Sequence, residues 1–415
     1  MTAPPAPRPR RAPTAVPPRT TSTTGTTSTT APPGTIPNPT DQGASMSPTP
    51  TPVPRFRPAR RLAAASALAL VGTLALASCA SAPSDASSSG TTDAAASDFL
   101  PCIVSDQGGF DDQSFNQLGL EGVTDAAEAL GTEHIDVQSE TESDYAPNIA
   151  SLVDQGCTTI VTMGYLLAAA TKDAAAANPD IHFIMVDDNT IAADNVKGVV
   201  WDTSQAGFLV GYAAADYTTT GKVGTYGGAQ IPPVTLYMDG FARGVEYHNA
   251  QKGTDVQVIG WNPDTQEGQF TGNFSDINAA KVLSQGILEQ GVDVIVPVGG
   301  PIYKGAAQAI RESSTPVALV GVDTDMYLSD PDYDDIWFSS IARDMPKSIS
   351  EVIQAAAAGD FSNEEYVGTL ENGGVLMSPF HDFESKVAPT LQGELDDIQA
   401  GIIAGTIPIE TPSAP

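Results

Sequence analysis

From Val292 to Asp325 the chain reads VDVIVPVGG PIYKGAAQAIRESSTP VALVGVDTD. Val292–Val298 and Val317–Val322 are apolar runs that do not alternate with polar residues. Such runs suit parallel strands buried on both faces, and the longer Ala-rich stretch between them, Ile302–Ser313, suits the crossover helix. Working outward, the same text recurs on both sides. Strands are expected at Leu100–Ser105, His134–Ser139, Thr158–Met163, His182–Val186, Val196–Trp201, Lys222–Tyr226, Val256–Trp261 and Ile336–Ser340. Helices are expected near Ser114–Leu130, Tyr145–Gln155, Leu166–Asn178, Gln205–Thr218, Leu236–Asn249 and Ile277–Gln290, with two more near Pro346–Ala358 and Pro389–Ala404 that cross back. The alternation occurs once before and once after the Thr218–Gly221 turn. The expected fold is therefore α/β, with two doubly wound parallel-sheet lobes facing each other across a hinged ligand cleft. Lobe 1 is placed at about 98–218 plus a return segment, and lobe 2 at about 221–322 plus the C-terminal helices.

The 415 residues carry 19 Lys+Arg against 50 Asp+Glu, a net charge of −31. Eight arginines and one acid fall in residues 1–78, leaving 11 basic and 49 acidic residues and a charge of −38 on the remainder. That balance argues against a nucleic-acid partner, because no basic surface is present to neutralise phosphates. Residues 1–54 are rich in Pro, Thr, Ser and Ala and read as a disordered leader or a mis-assigned start, with Met46 a suitable start for a signal peptide of normal length. Residues 55–78 read as a lipoprotein signal peptide: Arg55, Arg57, Arg60 and Arg61 precede the apolar run Leu62–Ala77. The run ends Leu76-Ala77-Ser78-Cys79, which resembles a bacterial lipobox and places a lipid on Cys79. Residues 79–97 then form a flexible linker, 98–409 the folded part, and 410–415 an unstructured tail.

Ligands of open α/β sheets sit beyond the carboxyl ends of the strands. The residues found there are Asp106, the run Gly108 to Asn116, Asp187 and Asp188, Gly299-Gly300, and Asp323 with Asp325. Carboxylates thus recur at one edge with no balancing Lys or Arg cluster. They suit vicinal hydroxyls or a ring N–H of a neutral polyhydroxylated ligand and would repel phosphates. Phe115 stands where it can stack on a ring. Asp112 and Ser114 are read as helix N-caps.

These residues also carry a family resemblance. Asp106–Asn116, the helix Ala206–Ala214, Gly221-Lys222-Val223-Gly224 with Gly227-Gly228, Ile231-Pro232 and Gly240-Phe241, Phe270–Asp276, and Gly321–Asp325 occur in the order found in the basic membrane protein family. These are nucleoside-binding lipoproteins similar to purine nucleoside receptor A. The resemblance implies a type I periplasmic-binding-protein fold and delivery of nucleosides, purine nucleosides favoured, to the permease subunits of an ABC importer. It places the protein at the extracytoplasmic face of the cell membrane. It also implies that Asp106 and Asn116 hydrogen-bond the base, that Phe115 and Phe274 sandwich it, that Asp323 holds ribose hydroxyls, that Asp187 joins them, and that Gly300 lets backbone approach the ligand. Where the family usually has Lys after the Ser339-Ser340 strand, this chain has Arg343, whose planar fork differs from a point charge. Tyr165, Trp201 and Tyr303 are further cleft-lining candidates, while Lys222 and Gly227-Gly228 read as architectural residues near the hinge.

Cys102 and Cys157 lie on strands that can be neighbours, so a disulfide and two separate buried thiols both fit. The four histidines show no metal spacing, and neither a Gly-x-Ser-x-Gly elbow nor a Cys–His–Asn set is evident. No cofactor, metal or covalent chemistry is expected, and the protein is expected to act as a monomer. The rival readings are a sugar-binding protein of the same fold, a ligand-sensing receptor feeding a membrane partner, and an exported nucleosidase.

Overall fold

The computed structural model describes residues 99–415. The leader, the signal peptide, Cys79 and the linker lie outside the described residues. The first sheet is built from β1 (Pro101–Val104), β2 (Ile135–Val137), β3 (Thr159–Met163), β4 (His182–Val186) and β5 (Val196–Trp201), with α1 (Phe115–Leu130), α2 (Tyr145–Asp154) and α3 (Ala168–Ala177) between them. All pairings among these strands are parallel. The apolar runs explain why: β1 and β3 are buried along their whole length, as buried parallel strands require. Cys102 pairs with Ile160 across β1 and β3, and the sulfurs of Cys102 and Cys157 are bonded at 1.99 Å with Cα atoms 6.0 Å apart.

The chain then runs through α4 (Thr203–Tyr217) into β6 (Lys222–Gly227), α5 (Pro232–Lys252) and β7 (Gln257–Ile259). A two-stranded hairpin follows, β8 (Trp261–Asn262) with β9 (Glu267–Gly268), and then α6 (Ile277–Leu288), β10 (Val294–Val298), α7 (Tyr303–Glu312), β11 (Ala318–Asp323), α8 (Met326–Ser329) and β12 (Trp337–Arg343). After α9 (Met345–Ala357) come β13 (Tyr366–Gly368), β14 (Val375–Met377) and α10 (Leu391–Ile403). The two six-stranded sheets have orders β13-β5-β4-β3-β1-β2 and β14-β12-β11-β10-β6-β7. Within these two sheets only β14 is antiparallel to its neighbour.

The lobes divide differently from the expectation. Helix α4 was placed in lobe 1, but it packs on α5, β12 and β14, so the first crossing comes just before Thr203 and not at 218–221. The reason is in the two helices: a Cβ at Gly211 would lie 2.0 Å from the Phe241 carbonyl oxygen, and one at Gly244 the same distance from that of Phe208. Small residues at these positions let α4 and α5 meet backbone to backbone. The chain crosses twice more, between β12 and α9, which packs on α1, and between β13 and β14. The crossings are tied together, since Asp202 N donates to Gly368 O at 2.8 Å and Asp344 N to Gly374 O at 2.9 Å. Lys222 lies at the other end of β6, where its Nζ donates to the Gln290 carbonyl.

The segment Glu410–Pro415 is not free as expected. Arg243 Nε donates to the Glu410 carbonyl, the Thr411 hydroxyl donates to Asp239, and the hydroxyls of Ser413 and Thr235 are 2.8 Å apart. Among the described residues no helix is long and apolar enough to cross a membrane.

Candidate functional site

The carboxyl ends of the two sheets face a shared cavity of about 580 Å³, its opening to solvent included. That volume suits a small molecule of drug or metabolite size. Lobe 1 supplies Asp106 beyond β1, Phe115 and Asn116 at the start of α1, and Asp187 beyond β4. Lobe 2 supplies Phe274 ahead of α6, Gly300 beyond β10, Asp323 at the end of β11 and Arg343 at the end of β12. All eight positions singled out in the sequence therefore line one space. Tyr165 lines it too. Trp201 instead lies beneath Arg343, its ring centroid 5.0 Å from the guanidinium carbon. Tyr303 stands outside the cavity, its hydroxyl within 3.0 Å of Gln113 Oε1 and 2.7 Å of Asp330 Oδ2.

The start of α1 is organised by Asp112. Its carboxylate accepts the backbone N–H groups of Ser114, Asn116 and Gln117 at 2.9–3.1 Å, satisfying donors that a helix start leaves unpaired. Ser114 does not cap. Its hydroxyl crosses the cleft and donates to Asp323 Oδ2 at 2.6 Å. Asn116 donates to Asp106 Oδ1 at 2.7 Å and to Asp112 Oδ2 at 3.2 Å, and its Oδ1 accepts from Asp106 N. Both amide hydrogens are thus engaged within the protein, and Asn116 holds Asp106 in place. Asp106 Oδ1 also accepts from Gly108 N, whereas Oδ2 has no hydrogen-bond partner among the described residues. Burial raises the Asp106 carboxyl to about 6, against the lowering effect of the Gly108 and Asn116 hydrogen bonds.

On the opposite side, Arg343 is buried and bridges two carboxylates: its Nη1 lies 2.6 Å from Asp187 Oδ1, and its Nη2 2.8 Å from Asp323 Oδ1. Burial works against the guanidinium charge, but Asp187, Tyr237 and Asp323 outweigh it and hold the group firmly protonated. Asp323 accepts further from Arg343 Nε and from the Tyr237 hydroxyl, both at 2.9 Å. Burial raises the Asp187 carboxyl, and Arg343 opposes that shift. Lobe 1 and lobe 2 are thus joined by Ser114–Asp323, Gln113–Tyr303 and Asp187–Arg343. Gln113, Asp187 and Asp323 all have left-handed backbone, with φ of 58°, 65° and 72°. Non-glycine residues are held there at an energetic cost, here at the points where the lobes meet.

Two glycine pairs shape the wall around Phe274. A Cβ at Gly228 would lie 2.3 Å from the Phe274 ring, and one at Gly299 2.7 Å away. Gly228 was read as hinge architecture, but it seats the aromatic ring. Gly299 and Gly300 have φ of 143° and 50°, which turns backbone toward the cavity. Sequence reasoning missed Tyr237 and gave Ser114 the role of a cap in place of its bond to Asp323. Neither has a local signal, since their partner Asp323 is remote in the chain.

The family of ABC transporter substrate-binding proteins described as PnrA-like (Bmp) matches residues 100–411. The chain belongs to this family. Its relatives include the ABC transporter nucleoside-binding protein BmpA of Lactococcus lactis subsp. cremoris, 29% identical, covering 76% of this chain and 90% of that protein. Another is the CD4+ T-cell-stimulating antigen of Listeria innocua serovar 6a, 27% identical, covering 84% and 98% respectively. Among solved structures, an ABC transporter solute-binding protein from Aeropyrum pernix K1 superposes with a TM-score of 0.69 at 23% identity, covering 76% of this chain and 94% of that one. A solute-binding protein from Bacillus halodurans C-125 with bound myo-inositol gives 0.51 at 16% identity, covering 70% and 98%. The fold is the type I periplasmic-binding-protein fold, with a mainly parallel sheet in each lobe, and the Bmp family is one of ABC transporter substrate-binding proteins.

Proposed function

We propose that this Bmp-family protein captures nucleosides, purine nucleosides favoured, by closure of its lobes and delivers them to the permease subunits of an ABC importer. It works as a monomer at the extracytoplasmic face of the membrane, anchored by a lipid on Cys79, and performs no covalent chemistry. The observation that carries the ligand class is Asp106 Oδ2, an acceptor without a hydrogen-bond partner among the described residues, in a cavity flanked by Phe115 and Phe274. A base N–H donates to that oxygen while the rings hold the base by its faces. The relative BmpA, named as nucleoside-binding, supports the same reading. Asp187, Asp323 and Arg343 read the ribose end. Because Arg343 already bridges both carboxylates, the sugar hydroxyls meet a preformed charge network. Gly300 keeps the backbone near the ligand.

The test is mass spectrometry of whatever the purified protein releases on denaturation, followed by thermal shifts with nucleosides, free bases and sugars. A nucleoside in the extract and a matching rise in melting temperature are expected. Stabilisation by sugars alone would overturn the ligand class, and free base appearing from added nucleoside would point to a nucleosidase. In calorimetry, Phe115→Ala and Phe274→Ala are each expected to weaken binding of inosine or guanosine by about 1–3 kcal/mol.

Asp106 makes binding pH-dependent. Burial raises its carboxyl to about 6, and the ionised form accepts from a base N–H more strongly than the neutral acid, so affinity rises as the pH increases through that value. The stability sign is opposite: a carboxyl raised from 3.8 to about 6 favours the folded chain below its unfolded pKa, and that contribution is lost as pH rises through 6. Dissociation constants measured between about pH 5 and 8 are expected to fall with pH, and Asp106→Asn should flatten the profile.

A further inference from the structure

A second hollow lies behind the ligand cavity. It is lined by Tyr165, Asp187 and Trp201 of lobe 1 and by Pro233 and Pro412–Pro415 on the side of lobe 2, and measures about 650 Å³ with its opening included. Tyr165, Asp187 and Pro233 also line the ligand cavity, so the two spaces share a wall. The hollow is built from both lobes: the turn after β4 and the end of β5 face the start of α5 and Pro412–Pro415.

Among the described residues the segment is hydrogen-bonded to lobe 2. Its hydrogen bonds to other elements are those to Arg243, Asp239 and Thr235, all on α5. The Asp239 contact is a structural anchor. Asp239 is completely buried, and its Oδ1 is taken by Trp261 Nε1 and Gln266 Nε2. The Thr411 hydroxyl is the only protein donor to Oδ2 among the described residues. A buried carboxylate oxygen without a donor is costly, which holds Thr411 in place and carries Pro412–Pro415 to the hollow.

We propose that Glu410–Pro415 is a strap, carried by lobe 2, that shuts the back of the ligand cavity when the lobes close. Exchange is thereby confined to the front of the cleft. The strap touches the wall and not the ligand, so it governs rates more than affinity. This rests on the nucleoside reading only for the choice of probe.

The test uses two shortened chains. Ending the chain at Thr411 keeps the Asp239 anchor and removes Pro412–Pro415, while ending it at Ile409 removes both. The first readout is acrylamide quenching of tryptophan fluorescence in ligand-free protein. Trp201 is only 3% exposed and lines the hollow, so the chain ending at Thr411 should be quenched more than the full chain. The second is stopped-flow exchange of inosine. Association and dissociation rates should both rise at least about threefold with little change in the dissociation constant, because a second route opens without loss of a ligand contact. Unchanged quenching overturns the strap, as do unchanged rates in a protein that binds inosine. A parallel loss of affinity and melting temperature in the chain ending at Thr411 would assign these residues a purely structural role. If no nucleoside binds, the nucleoside reading fails on its own, and quenching still decides whether the segment forms the wall.

Discussion

Replacing Arg343 with methionine is expected to destabilise the domain by about 3–5 kcal/mol and to abolish ligand capture. Methionine keeps most of the apolar stem and removes the charge. Asp187 and Asp323 would then face each other's neighbourhood buried, from separate lobes, without the cation that lies 2.6 and 2.8 Å from them. Breaking a buried pair from one side leaves an uncompensated charge, and that penalty exceeds the net worth of the intact pair. The guanidinium also rests on three rings, those of Phe115, Trp201 and Tyr237, with its carbon 5.0–5.8 Å from their centroids. Its loss removes support from a ring proposed to hold the base. Without Arg343 the Asp187 carboxyl, already raised by burial, loses the charge that opposes that shift, so the variant should recover stability as the pH falls. Urea unfolding at two pH values checks this, and a change below about 1 kcal/mol would mean that water compensates the carboxylates. Arg343→Lys should fall between the two, since a single ammonium cannot reproduce the fork that serves Asp187 and Asp323 together.

Removing the Cys102–Cys157 link by a double substitution to alanine is expected to lower stability by about 4 kcal/mol in the chain-entropy picture. The two residues are separated by 55 positions, and the loop they close contains β1, α1, β2 and α2. Both side chains are buried, in the cluster that includes Val104, Tyr145 and Ile160. The effect therefore concentrates on lobe 1. Hydrogen exchange should rise in β1 and β3 well before it rises in β6 and β10. Equal unfolding midpoints for the oxidised and reduced protein would remove the constraint from the account.

Much of the fold was legible locally. His182–Val186 and Val196–Trp201 occupy the very bounds read for them, because short segments rich in Val and Ile between turn residues are too short for a helix and suit a buried strand. The short strands β13 and β14 were missed. Each has three residues and no periodicity of its own, and each is a strand only through its pairing with β5 or β12. Of the β8–β9 hairpin only Trp261 falls inside the expected Val256–Trp261 strand, and β9 was missed for the same reason. Helix α4 was read correctly as a helix and assigned to the wrong lobe, since its glycines do not name the helix they meet.

The site divides along the same line. Position relative to a strand end is a local property, and it brought Asp106, Asp187, Gly300 and Asp323 to one edge before any partner was known. Apolar runs, their spacing and the turn residues between them determine which segments are buried and which ends carry chemistry. What a carboxylate is bonded to is another matter. Ser114 reaches Asp323 across 209 positions, Arg343 reaches Asp187 across 156, and Thr411 reaches Asp239 across 172. Such pairs follow from how two sheets and three crossings fold back on one another. Only the tertiary structure could therefore decide that Asp106 keeps an oxygen free, that Asp323 is already engaged, and that the last residues lie against the second lobe.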